Sequence, residues 1–214
     1  MPLKVTDLGL VDFQDARVQQ RELFREVEAG LWSAGLIVCR HYPAITVSRR
    51  ANRNNILASQ EELKNKGISV YEVERGGDVT YHGPGQLIAY PVFNLNYFKK
   101  DIHWFLGYLE SLIIRCLDES GVKGERAPGL TGVWAGRLKI ASIGIAVRNW
   151  ITFHGLSINI KNNDLANFSL IRPCGMDIMV TSMESETGGI VQTEEVKQNL
   201  VSLFKASSGF SNRD

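Results

Sequence analysis

Eight apolar side chains between residues 102 and 117 recur at a spacing that only a helix gathers on one side. Ile102, Phe105, Leu106, Leu109, Leu112, Ile113, Cys116 and Leu117 share one face at 3.6 residues per turn, which predicts an amphipathic helix over residues 101–119. Asp101 stands at its N-cap and Gly121 just past its end. A stripe this wide holds a helix only when another layer covers it. The rest of the chain must therefore supply an apolar surface of comparable extent.

Strand patterns supply it. Residues 3–8, 36–39, 68–73, 87–95, 131–135, 138–148 and 150–160 read as strands, with Arg148-Asn149 as the tight turn between the last two. Pro91 interrupts the 87–95 run and places that strand at an edge or at a bulge. Residues 12–29 carry Phe13, Ala16, Val18, Leu23 and Val27 among charges, as an exposed amphipathic helix does, and Gly30 is its stop. Further helices are expected at 60–66 and 193–205. The sum is an α+β (α/β) fold, one central mixed sheet flanked by helices, in a single domain over residues 1–214 that frays from about residue 207. A chain of 214 residues that is 44% hydrophobic and 22% charged buries such a core without disulfides or metal.

The charge balance narrows the partners. Lys and Arg number 24 against 23 Asp and Glu, so no global attraction to nucleic acid is expected. No apolar run approaches the roughly 20 residues of a membrane span. Three cysteines with no CxxC pair make neither a disulfide framework nor a four-Cys zinc site. No HExxH or similar spacing occurs either, so no metal and no cofactor are expected. The N-terminus has an early acid and no apolar run, unlike a signal or transit peptide, and with unpaired cysteines it suits a reducing, cytoplasmic compartment. No extra interface element is evident, so a monomer is expected.

Chemistry-bearing residues concentrate where glycine does. Twelve of the 20 glycines lie between residues 75 and 155, several beside Arg75, Asp78, Tyr81 and His82. Glycine permits positive φ and close backbone approach to a ligand, but sheet turns and bulges use it as well. Neither a phosphate loop nor a dinucleotide fingerprint is present. Cys39 in a strand run and Cys116 on the helix face read as core. Cys174, in Ile171-Arg172-Pro173-Cys174-Gly175, stands in a turn-like stretch beside an arginine, where a thiolate is favoured; a plain loop cysteine is the alternative. His154 offers a papain-like partner for it, while His41 and His103 read as structural. Lys139 opens an apolar strand, either facing solvent or partly buried as a base or a cation beside a thiolate.

Four segments, in order, resemble one family. Arg75-Gly76-Gly77-Asp78-Val79-Thr80-Tyr81-His82-Gly83-Pro84-Gly85-Gln86 is similar to the RGGxxTYHGPGQ signature of the octanoyltransferases, the lipoyl(octanoyl) transferases of lipoate biosynthesis. Gly132-Val133-Trp134 with Lys139-Ile140-Ala141-Ser142-Ile143-Gly144, then His154-Gly155-Leu156-Ser157-Ile158-Asn159, then Phe168 through Pro173-Cys174-Gly175 resemble its later blocks, over roughly residues 35–180. The resemblance implies a catalytic domain like those of biotin and lipoate ligases, with Cys174 as nucleophile and Lys139 as its partner. It implies that Arg75, Gly76, Gly77, Asp78, Val79, Thr80, Tyr81 and His82 line the acyl pocket with Ser142, Ile143, Gly144, His154, Gly155, Leu156 and Ser157. One departure is Ser48, where the family often has glycine after its early His-x-Pro-containing block, here His41-Tyr42-Pro43.

The implied reaction transfers an octanoyl group from octanoyl-acyl carrier protein to a lysine of lipoyl domains, in 2-oxoacid dehydrogenase complexes and the glycine cleavage H protein, through a Cys174 thioester. Arg49, Arg50 and Arg53 form a basic cluster that could dock the acidic donor, and Arg126, Arg137 and Arg148 add candidates nearer the site; a solvated charged surface is the alternative. The main alternative is an ATP-dependent lipoate–protein ligase of related fold. A carrier-domain binding module and a Cys174–His154 hydrolase are further alternatives.

Overall fold

A computed structural model describes residues 3–173 and 178–207. In chain order the elements are β1 (Lys4–Val11), α1 (Phe13–Glu28), β2 (Ala34–His41), β3 (Ala44–Ser48), α2 (Gln60–Asn65), β4 (Ser69–Val73), β5 (Val79–His82) and β6 (Gln86–Phe93). Then follow α3 (Ile102–Asp118), β7 (Val133–Ala135), β8 (Leu138–Arg148), β9 (Ile151–Asn159), α4 (Met183–Thr187) and α5 (Thr193–Ser207). The frayed tail expected from about residue 207 falls almost wholly outside the described residues.

The strands make two sheets. The larger has the order β1-β2-β6-β9-β8-β7, with β1 parallel to β2 and every other pair antiparallel. The smaller has the order β4-β3-β5, with β3 parallel to β4 and antiparallel to β5. Helices cover both faces of the large sheet. Alternation along β2 sends Ile37 and Cys39 to the α1 side, where Ala16, Leu23 and Val27 meet them. Leu36 and Val38 face the other way, into the layer built by α3 and α5. A strand buried on both faces reads as an unbroken apolar run, which is why 36–39 stood out in the sequence. Asp101 caps α3 by accepting from the Trp104 N–H at 3.0 Å.

Three local expectations are corrected. The strand with Pro91 is interior, lying between β2 and β9. The β6–β9 ladder keeps its register but opens beyond Ala89, resuming only at the Asn94–Ile151 bridge. Opposite the opening, His154 has φ 57 and gives its N–H to Gln20 Oε1 at 3.1 Å, while the Thr152 hydroxyl takes up the freed β6 groups, donating to Pro91 O at 2.8 Å and accepting the Phe93 N–H at 2.9 Å. The β8–β9 turn is Asn149-Trp150, one residue later than Arg148-Asn149, and both residues have positive φ, as a two-residue hairpin turn demands. Val18 lies on the exposed face of α1, away from the buried Phe13, Ala16, Gln20, Leu23 and Val27. The strands β3 and β5 were not foreseen: β5 lies inside the glycine-rich signature, whose glycines mask its period.

Candidate active site

A cavity of about 410 Å³ opens where β6, β8 and β9 of the large sheet meet the small sheet and the first turn of α3. Its volume falls in the range of about 300–1,000 Å³ typical of small-molecule sites. The walls are largely apolar, with Phe13, Ile88, Leu106, Leu130, Ile143 and Leu156 among them. Polar side chains are set among them, Arg75, Asp78, His82, Lys139, Ser142 and His154 included.

Arg75 organises one wall. Its guanidinium donates to Thr46 O at 3.0 Å, to Thr46 Oγ1, to Asp78 O at 3.1 Å and to Gly76 O at 2.9 Å. A cation clasped by carbonyls closes the 75–78 segment into a loop over the sheet. Gly76 donates its N–H to Ile145 O at 2.8 Å, and Gly144 lets that loop approach, since a Cβ there would lie 3.0 Å from Gly76 O. Ser48, the departure from the family pattern, donates its hydroxyl to Gly77 O at 2.8 Å. Serine thus adds a hydrogen bond to the loop and sits in β3 without positive φ.

Lys139 enters from β8 and is 7% exposed. Its Nζ donates to Thr131 O at 3.1 Å and lies 4.9 Å from the centre of the Trp134 ring. The solvent-facing alternative for this lysine is therefore incorrect. The turn before β7 makes room for it: Gly132 has φ +131, and a Cβ there would lie 2.8 Å from Lys139 Cε. Glu110 of α3 accepts the Gly132 N–H at 3.1 Å and Arg126 Nε at 2.9 Å, holding that turn in place.

Two histidines border the cavity, and both are held neutral. Burial, with His41 and Arg75 nearby, pushes His82 down to about 3. Its Nδ1 lies 3.1 Å from Gln86 Oε1, and the Gln86 amide nitrogen donates to Asn159 Oδ1, so Nδ1 carries the proton. Burial and Arg75 likewise push His154 down to about 4. His41 lies deeper, between Val11 O at 3.0 Å and the Tyr90 hydroxyl at 2.7 Å, and burial lowers its pKa as well. His103 is exposed at the start of α3.

The cavity collects Lys139 and all but one of the described residues singled out for an acyl pocket. Tyr81 is the exception. It is buried in the small-sheet core, accepting from Asn167 Nδ2 at 2.9 Å, and does not border the cavity. The physical reason is strand alternation: within β5, Thr80 and His82 point to the cavity and Tyr81 packs in the small-sheet core, while Val79, on Tyr81's side, still borders the cavity at the start of the strand. Cys174 lies outside the described residues. The described residues on either side of that stretch, Pro173 and Ile178, both line the cavity. Lys139 is hydrogen-bonded to the same region, its N–H to Met179 O at 2.9 Å and its carbonyl to the Thr181 N–H at 3.0 Å. Cys39 and Cys116 are free and buried.

Sequence reading missed Thr46, whose clasp on Arg75 spans 29 residues, and the cavity-facing Ile102 and Leu106. The last two were absorbed into the helix stripe, and Ile102 is in fact 41% exposed. The Arg49–Arg53 cluster is partly neutralised: Arg49 pairs with Glu74 at 3.1 Å, and Arg53 with Glu72.

Comparisons with known proteins converge on this site. Residues 12–205 match the family model of the lipoyl protein ligase A/B catalytic domain. The octanoyltransferase of Thermoanaerobacter sp. (strain X514) is 43% identical over 208 residues, covering 96% of this chain and 90% of its own. That of Caldicellulosiruptor saccharolyticus is 44% identical over 207 residues, covering 95% and 88%. Among solved structures, a lipoate-protein ligase A bound with ATP superposes with a TM-score of 0.75 at 15% identity, covering 100% of this chain and 87% of that one. A biotin protein ligase from Aquifex aeolicus, in complex with biotin and ATP, gives 0.55 at 12%, covering 95% and 72%. At these identities the structural likeness carries the fold: mixed sheets flanked by helices.

Proposed function

The chain belongs to the octanoyltransferase family, and from that premise we propose that it moves an octanoyl group from octanoyl-acyl carrier protein to a lysine of lipoyl domains. The acceptors are those of 2-oxoacid dehydrogenase complexes and the glycine cleavage H protein. One observation carries the reading: Lys139 and both residues flanking the Cys174–Asp177 stretch line one apolar cavity.

In this reading Cys174 thiolate attacks the donor carbonyl, a new C–S bond forms and the carrier thiolate leaves. Exchange of one thioester for another is near even in energy and needs no ATP. The acceptor amine then attacks the acyl-enzyme, an amide forms and Cys174 leaves as thiolate. Lys139 acts at both steps. As ammonium it favours the thiolate, and as the neutral amine it takes a proton from the incoming nucleophile, a contribution of about 10²–10⁴-fold for general-base help. The neighbouring histidines are poor substitutes. An imidazolium at His154 would sit buried beside Arg75, which opposes the proton transfer a Cys–His hydrolase needs.

Intact-protein mass, after mixing with octanoyl-acyl carrier protein in the absence of ATP and acceptor, tests the proposal. A single octanoyl adduct is expected, absent from Cys174→Ala and discharged when a lipoyl domain is added. Absence of any adduct, with transfer appearing only on addition of ATP and free acid, would replace it with the ligase reading.

A further inference from the structure

A second cleft, of about 680 Å³, runs between α1 and the β8–β9 hairpin. Arg17, Arg21, Arg25, Arg49 and Arg148 line it, against Glu28 and Glu74. Arg17 and Arg49 share Glu74, at 3.3 and 3.1 Å. Arg21, Arg25 and Arg148 have no ion-pair partner among the described residues and stand exposed. At its base is a buried donor without an acceptor. Gln20, 3% exposed, uses Oε1 to accept the His154 N–H, which leaves its Nε2 with no partner among the described residues. A buried amide N–H of this kind is a costly omission unless an incoming acceptor completes it.

The arrangement selects among anions. Arg17, Arg21 and Arg25 follow at every fourth residue of one helix, so they extend over about 12 Å at 1.5 Å per residue. A single phosphate cannot engage a row of that length, whereas a file of carboxylates can. Glu28 and Glu74, set among the arginines, would repel the continuous phosphates of a nucleic acid strand. His154 borders both this cleft and the acyl cavity, so a protein seated here lies beside the site its acyl group must enter.

We propose that the α1 cleft docks an acidic segment of the acyl-donor protein, with Arg21, Arg25 and Arg148 pairing its carboxylates and Gln20 Nε2 donating to one acceptor oxygen. This rests on the function proposed above and moves the docking surface from the Arg49–Arg53 cluster to α1.

The test is steady-state kinetics of the full chain carrying Arg21→Glu and Arg25→Glu together. At low salt, KM for octanoyl-acyl carrier protein should rise roughly tenfold or more, with kcat and the KM for the lipoyl domain unchanged. The wild-type donor KM should climb between about 50 and 250 mM salt while that of the variant stays flat. Turnover of a protein-free donor, the octanoyl thioester of N-acetylcysteamine, reports folding and chemistry and should be the same in both proteins. An unchanged donor KM at low salt overturns the proposal, as does an equal loss with the small thioester, or a shift in the acceptor KM in place of the donor's. Failure of the wild-type chain to use the carrier at all would instead remove the function on which the proposal rests.

Discussion

Gly132 and Lys139 occupy each other's space. A Cβ on Gly132 would lie 2.6 Å from Ala141 O and 2.8 Å from Lys139 Cε, and φ +131 is a conformation that other residues avoid. The backbone oxygen cannot yield, so the turn or the lysine must. Gly132→Ala is expected to lower single-turnover acyl transfer about a hundredfold, the scale of lost general-base help. The strain should cost roughly 1–3 kcal/mol in urea unfolding. Transfer at the wild-type rate would show that this turn does not place Lys139. At this scale the sequence was most legible where a residue's role is local. Cys39 and Cys116 sit in periodic apolar runs and are core. The clasp of Arg75 on Thr46 was illegible, because a hydrogen bond across 29 residues leaves no trace in local spacing.

The seam between β6 and β9 shows how elements bend to the site. Gly155 passes so near β6 that a Cβ would sit 2.1 Å from Ala89 O and 2.6 Å from Pro91 Cδ. Backbone and proline ring have nowhere to go, so Gly155→Ala should force the strands apart. We expect a loss of at least about 1–3 kcal/mol, the cost of overpacking a tight interior. Gly189→Ala, where a Cβ would meet nothing within 4 Å, should leave the urea midpoint in place. Equal midpoints for the two variants would mean that the seam opens freely. Strongly periodic elements were legible: α1 and α3 fall within a residue or two of their expected bounds. The position of the proline strand was not, because the group that takes up its freed polar atoms, the Thr152 hydroxyl, lies 61 residues from Pro91 in sequence.

The acyl cavity belongs to no single element. Its walls come from both sheets and the first turn of α3, so its contents tie the two sheets together. A longer aliphatic tail should therefore stabilise the whole molecule. Each buried CH₂ contributes about 0.8 kcal/mol, so octanoate should bind about fifteenfold more tightly than hexanoate and raise the melting midpoint further. Calorimetric titration of both acids checks this, and equal affinities would mean that the tail is not buried. At this scale, a mixed sheet with helices on both sides was legible from the helix stripe and the strand runs. The second, smaller sheet was not, since β5 is hidden in the glycine signature and β3 is short.

One imidazole borders both the acyl cavity and the arginine-lined cleft. His154 therefore belongs to the wall of each, so a change at this one position is felt on both sides. If a carrier docks in that cleft as proposed, the cavity its cargo must enter shares a wall residue with its seat.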